Sequence, residues 1–106
     1  MPRLSPQEEL ALGELADGVR RHFGSRVADI TLFGSRARGE GRDDSDLDVL
    51  VRLVALTRED RRIVQDLAFD VGLARGLVIS PLLADPHTWR ADLPLGQAIE
   101  REGVRL

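Results

Sequence analysis

Leu32-Phe33-Gly34-Ser35-Arg36-Ala37-Arg38-Gly39-Glu40, followed by Ser45-Asp46-Leu47-Asp48-Val49-Leu50-Val51, is the stretch that decides how the chain is read. An apolar run enters a Gly-Ser turn, a short basic linker follows, and a second apolar run opens with two carboxylates at spacing i, i+2. Successive side chains of a strand point to opposite faces, so Asp46 and Asp48 are expected on one face with Leu47 buried behind them. Two oxygen-rich side chains side by side suit a divalent cation.

Outward from this stretch, local signals place the other elements. Ser5 as N-cap, Pro6 at the first helical position and Glu8 in a capping box predict a helix whose stripe is Leu10, Leu12, Leu15, Ala16 and Val19, ending at Gly24. Val27 to Phe33 reads as a strand, Ser35 to Glu40 as a helical turn, and Leu47 to Leu53 as a second strand. Thr57 caps a long helix reaching Gly76, with Ile63, Val64, Leu67, Ala68, Val71 and Ala74 on its apolar side. Leu77 to Leu83 reads as a third strand, where Pro81 points to an edge position or a bulge. Asp85 to Trp89 begins a loop or short helix, and Pro94 to Glu102 forms a closing helix stopped by Gly103. This order predicts an α/β (α+β) fold, a small mixed sheet with helices packed on it, as one domain over residues 1–106.

Composition narrows the class. The 106 residues are 42% hydrophobic and 31% charged, as in ordinary globular proteins. No run has the roughly 18 apolar residues of a membrane helix and the N-terminus has no apolar signal core, so a cytoplasmic protein without membrane contact is expected. There is no Cys, hence no disulfide or thiolate metal site. All 15 basic residues are Arg, yet the net charge is -3, which argues against a broad nucleic-acid surface and for a small, locally held phosphate ligand.

Gly34-Ser35 with Ser45-Asp46-Leu47-Asp48 resembles the Gly-Ser then Asp-x-Asp signature of the DNA polymerase beta nucleotidyltransferase superfamily, and the length matches its minimal nucleotidyltransferase (MNT) domains. The resemblance implies a polymerase-beta-type fold and transfer of a nucleoside monophosphate, AMP from ATP, by in-line displacement at the α-phosphorus. It implies Asp46 and Asp48 as catalytic metal ligands for two Mg²⁺ ions about 3.5–4 Å apart. Gly34, Ser35, Arg36, Arg38 and Ser45 are the expected nucleotide-binding residues: Gly34 lets backbone approach the phosphates, Ser35 donates, Arg36 or Arg38 clamps a phosphate or the acceptor, and Ser45 orients the carboxylate strand.

The family also implies a small helical HEPN-type partner, in antitoxin and toxin pairs where AMP passes to a partner tyrosine. This chain has no Tyr, so acceptor recognition falls to a second chain or a second copy. One departure matters: active members carry a third carboxylate on a later strand, and Leu77 to Leu83 contains none. Asp70 and Asp85 lie nearby in sequence but not at that position. Three readings follow: a transferase acting on a partner protein, a silent nucleotide-binding antitoxin, or a small-molecule, antibiotic-modifying transferase. His22 and His87 have no carboxylate pattern and read as surface or capping residues. Trp89 reads equally as core anchor or exposed contact.

Overall fold

The computed structural model describes residues 3–40 and 46–106. Helix α1 (Pro6–Phe23) starts at the Ser5/Glu8 capping box and ends at Gly24, whose φ is +57°. A short 3₁₀ turn, Gly24–Arg26, leads into β1 (Val27–Phe33). The four-residue helix α2 (Ser35–Arg38) connects towards β2 (Leu47–Leu53). Helix α3 (Arg58–Arg75) begins at a second reciprocal box, in which Thr57 accepts from the Asp60 amide and Asp60 accepts from the Thr57 amide. Strand β3 (Ile79–Ala84), helix α4 (Pro94–Glu102) and the two-residue strand β4 (Val104–Arg105) complete the order.

The sheet runs β3-β2-β1-β4. β1 is antiparallel to β2 and to β4, whereas β2 and β3 are parallel and joined through α3. The sheet is therefore mixed, as expected, and β3 is an edge strand, where Pro81 and its missing amide are tolerated. Alternation then sorts the faces. Ile30 and Leu32 of β1 and Leu47, Val49, Val51 and Leu53 of β2 join one apolar cluster with Leu12, Leu15 and Val19 of α1 and Val64 and Ala68 of α3. Thr31, Asp48, Leu50 and Arg52 occupy the alternate positions and face the other way.

Two details differ from the sequence reading. β3 starts at Ile79 and not at Leu77, because the Leu77 amide donates to the Gly72 carbonyl at 2.8 Å and is spent on ending α3. β4 was not anticipated: two residues have no periodicity to read, and their pairing with Thr31 and Leu32 is a long-range contact. Among the described residues no helix is long and apolar enough to cross a membrane.

Glycines report how tightly α3 meets the segment that leads into β3. A Cβ on Gly72 would lie 2.5 Å from the Leu77 carbonyl oxygen, whereas one on Gly13, on the exposed side of α1, would meet nothing within 4 Å. Gly72→Ala is expected to cost about 1–3 kcal/mol by overpacking, and Gly13→Ala to add about 1 kcal/mol by restricting the unfolded chain. Urea denaturation of the two variants checks both signs.

Candidate functional site

Gly34 ends β1 with φ 79° and ψ -162°, a conformation glycine adopts without a Cβ penalty. A second constraint comes from across the sheet. Phe33 pairs with Asp48, and a Cβ on Gly34 would lie 2.7 Å from Asp48 Oδ2. The turn and the carboxylate strand are thus packed directly on one another. The Gly34 carbonyl accepts from the amides of Ala37 and Arg38 at 3.1 and 3.3 Å, which folds Ser35–Arg38 into α2, and Gly39 closes it in the left-handed conformation.

Asp46 and Asp48 flank buried Leu47, as the i, i+2 spacing requires. Asp46 is exposed and Asp48 half-buried. Burial pushes the Asp48 carboxyl above the ordinary carboxylate value, and the neighbouring charge of Asp46 pushes it the same way. A cation placed between the two would relieve both penalties. The donor set, two carboxylates of hard oxygen, suits a divalent ion that completes its shell with phosphate oxygens and water. Among the described residues no group of three or more His, Cys, Asp or Glu side chains could hold a metal by itself.

Ser80 is the residue that sequence reasoning missed. The parallel register sets it opposite Asp48, and its hydroxyl donates to Asp46 Oδ2 at 3.2 Å. It is the one polar side chain of β3, which has no carboxylate. Its polarity within an apolar strand was visible in the sequence; that it faces the two aspartates depends on the register. Neither outlying carboxylate substitutes for a third acid. Asp70 is exposed on α3, and Asp85 accepts from the Leu56 and His87 amides at the far end of β3.

The basic residues separate. Arg36, expected to clamp a phosphate or the acceptor, instead points inward: it is 3% exposed, and its Nη2 donates to Glu8 Oε1 at 2.7 Å and to the Arg3 carbonyl at 3.2 Å. In this structure the guanidinium is buried and engaged by the Glu8 carboxylate, where the sequence reading expects it on a phosphate or the acceptor. Arg38 remains at the surface, paired with Glu40 at 3.0 Å and Glu102 at 3.1 Å, both of which raise its pKa. Ser45 lies outside the described residues. His22 packs edge-on against Phe23 and His87 is exposed. Trp89 is half-buried in a cleft of about 530 Å³ with Leu56, Leu83 and Leu93, at the opposite end of β3 from Ser80.

Comparison with known proteins gives this geometry a family. The nucleotidyltransferase domain matches residues 12–83, more than half of the chain, and the chain belongs to that family. The "Putative protein adenylyltransferase MJ1305" of Methanocaldococcus jannaschii is 35% identical over an alignment of 79 residues that covers 72% of this chain and 54% of that protein. The chain thus spans about half the length of that relative. Among solved structures, a "putative minimal nucleotidyltransferase" matches with TM-score 0.62 and 25% identity over 92% of this chain and 91% of that one. The Shewanella oneidensis complex of a tri-AMPylated HEPN toxin with its MNT antitoxin matches in fold, with TM-score 0.55 and 20% identity over 92% of this chain and 69% of the other.

The raised pKa of Asp48 has a stability consequence with a definite sign. A carboxyl whose folded value is raised binds its proton more tightly folded than unfolded, so it removes stability as pH rises from the ordinary carboxylate range through the raised value. Without nucleotide or metal, Asp48→Asn is expected to melt above the parent at neutral pH, with the gap closing below the ordinary carboxylate range. Thermal melts across pH read this directly; a lower melting temperature for the variant at neutral pH would mean that the Asp48 charge is stabilised.

Proposed function

We propose that the chain acts as a single minimal nucleotidyltransferase domain that binds Mg-ATP and transfers AMP to a hydroxyl of a partner protein, as the antitoxin of a toxin–antitoxin pair. The observation that carries this reading is the packing of Gly34, at the Gly-Ser turn, onto Asp48, the second carboxylate of the Asp46/Asp48 pair. It sets a glycine backbone that carries no Cβ directly beside the strand bearing both carboxylates. The name of the archaeal relative and the AMPylated toxin in the Shewanella complex support the acceptor class.

In this reading Asp46 and Asp48 hold the magnesium that accompanies the triphosphate, with two ions expected once ATP is bound. The dication supplies charge neutralisation on the triphosphate and on the leaving pyrophosphate. Gly34 and Ser35 receive the β- and γ-phosphates. Arg38 reaches a phosphate or the acceptor by exchanging Glu40 or Glu102 for it. Ser45, next to Asp46 in sequence, is kept as a proposed orienting residue. The acceptor oxygen forms a bond to the α-phosphorus, the bond to the β-phosphate oxygen breaks, and pyrophosphate leaves. The hydroxyl proton passes to water or to a base on the partner, since β3 offers Ser80 and no carboxylate.

That serine favours a second reading, in which the domain keeps its nucleotide pocket and silences a toxin by binding alone. One experiment separates the two: incubate the purified chain with Mg-ATP and a candidate short helical HEPN-type protein, and read intact masses. The transferase reading expects an AMP mass on the partner, absent with Asp46→Asn/Asp48→Asn. A stable complex without added mass favours the silent reading. The double variant should keep the parent's circular dichroism and lose Mg-dependent ATP binding, because neither carboxylate belongs to the core. Undiminished binding would remove both aspartates from the metal site.

A further inference from the structure

The side chain of Glu8 does two jobs in different parts of the chain. Its Oε1 accepts from the Ser5 amide at 2.8 Å, closing the capping box of α1, and from Arg36 Nη2 at 2.7 Å; its Oε2 lies 2.6 Å from the same Arg36 nitrogen. Both side chains are almost wholly buried, with side-chain exposures of 3% for Arg36 and 6% for Glu8. Arg36 also donates to the Arg3 carbonyl, so the segment entering α1 is tied in as well. Arg36 lies two residues after Gly34, on a helix of four residues. So short a helix has too few bonds of its own to hold its place.

We infer that the buried Glu8–Arg36 pair is a positioning device that joins the first turn of α1 to the Gly34-Ser35 turn, so that Arg36 governs nucleotide binding through the placement of Gly34 against Asp48. The inference rests on the proposed function. Its logic is geometric. With Gly34 packed so closely on Asp48 that a Cβ would lie 2.7 Å from Oδ2, any shift of the turn displaces or uncovers the carboxylate, and α2 decides where the turn sits. An ion pair between two buried groups is worth little as net stability but fixes a relative position, because each charge has a strong penalty for losing the other. Position is what a phosphate site requires of its turn.

Coupling of this kind is reciprocal. In the parent protein, saturating Mg-ATP should therefore slow amide hydrogen exchange in the first turn of α1, around Glu8 and Glu9, as well as at residues 34–38. Protection at 34–38 alone would overturn the inference. The matching variant is Glu8→Gln with Arg36→Met. It keeps a side-chain acceptor for the Ser5 amide and removes both buried charges together, which avoids the orphaned charge that either single change would leave. Its melting temperature should stay near that of the parent while Mg-ATP binds about tenfold more weakly, with a smaller loss for AMP, which lacks the phosphates assigned to the turn. Parent-like ATP affinity in this variant would overturn the inference while leaving the nucleotide site in place. Absence of Mg-ATP binding by the parent would overturn the proposed function and this inference with it.

Discussion

The contact between Gly34 and the Asp48 carboxylate is the constraint on which the candidate site depends. A positive φ favours glycine at position 34, and a Cβ there, 2.7 Å from Asp48 Oδ2, would push the carboxylate aside. It also sets the electrostatics of the site. Asp48 emerges from the sheet into a partly desolvated corner, beside a like charge, and its carboxyl is pushed up for both reasons. A carboxylate held at such a disadvantage is one that a cation would relieve. Stability is given up at the position that the proposed metal site occupies.

The rest of the fold holds that corner still. On the side facing α1 and α3, the strands bury an almost unbroken set of apolar residues, and Val49 and Val51 are fully inaccessible. On the other face, charge pairs take over: Arg52 is bonded to Asp29 across β1 and β2. At the end of the sheet far from the carboxylates, Arg26 reaches the Val54 and Ala55 carbonyls and Asp60, locking the entrance of α3 to the start of β1. The hydrogen bond from Arg26 is the main reason that the Asp60 carboxyl lies below its ordinary value. The N-terminal arm, the turn at Gly34 and the start of α3 are each tied down by an arginine, and this explains part of what an all-arginine set of cations does here: a planar fork can serve a carboxylate and a carbonyl together, which an ammonium does less well.

Ser80 shapes the functional question. A serine donates a hydrogen bond to Asp46 and adds no charge, so the described residues bring two carboxylates, and not three, to the site. A pair of carboxylates is a fair support for a cation already shared with phosphate oxygens, and a weaker one for a cation that must activate an incoming hydroxyl.

By itself the sequence determined the features whose partners lie within a few positions of each other. The Ser5/Glu8 box, Thr57 at the head of α3, the stops at Gly24, Gly76 and Gly103, the strand over Val27–Phe33 and the placement of Asp46 and Asp48 about a buried Leu47 were all legible, because caps and alternation are local physics. The family signature followed from that same stretch. Tertiary structure decided what depends on distant chain segments meeting. It turned Arg36 inward to Glu8, 28 residues away, when the local pattern showed only a cation beside a phosphate-type turn. It chose the parallel register that sets Ser80 at Asp48, started β3 two residues late by spending the Leu77 amide on a helix cap, and added β4 against β1. Register and buried ion pairs arise from how whole elements dock, and residue periodicity records only that an element has a buried face, not which partner covers it.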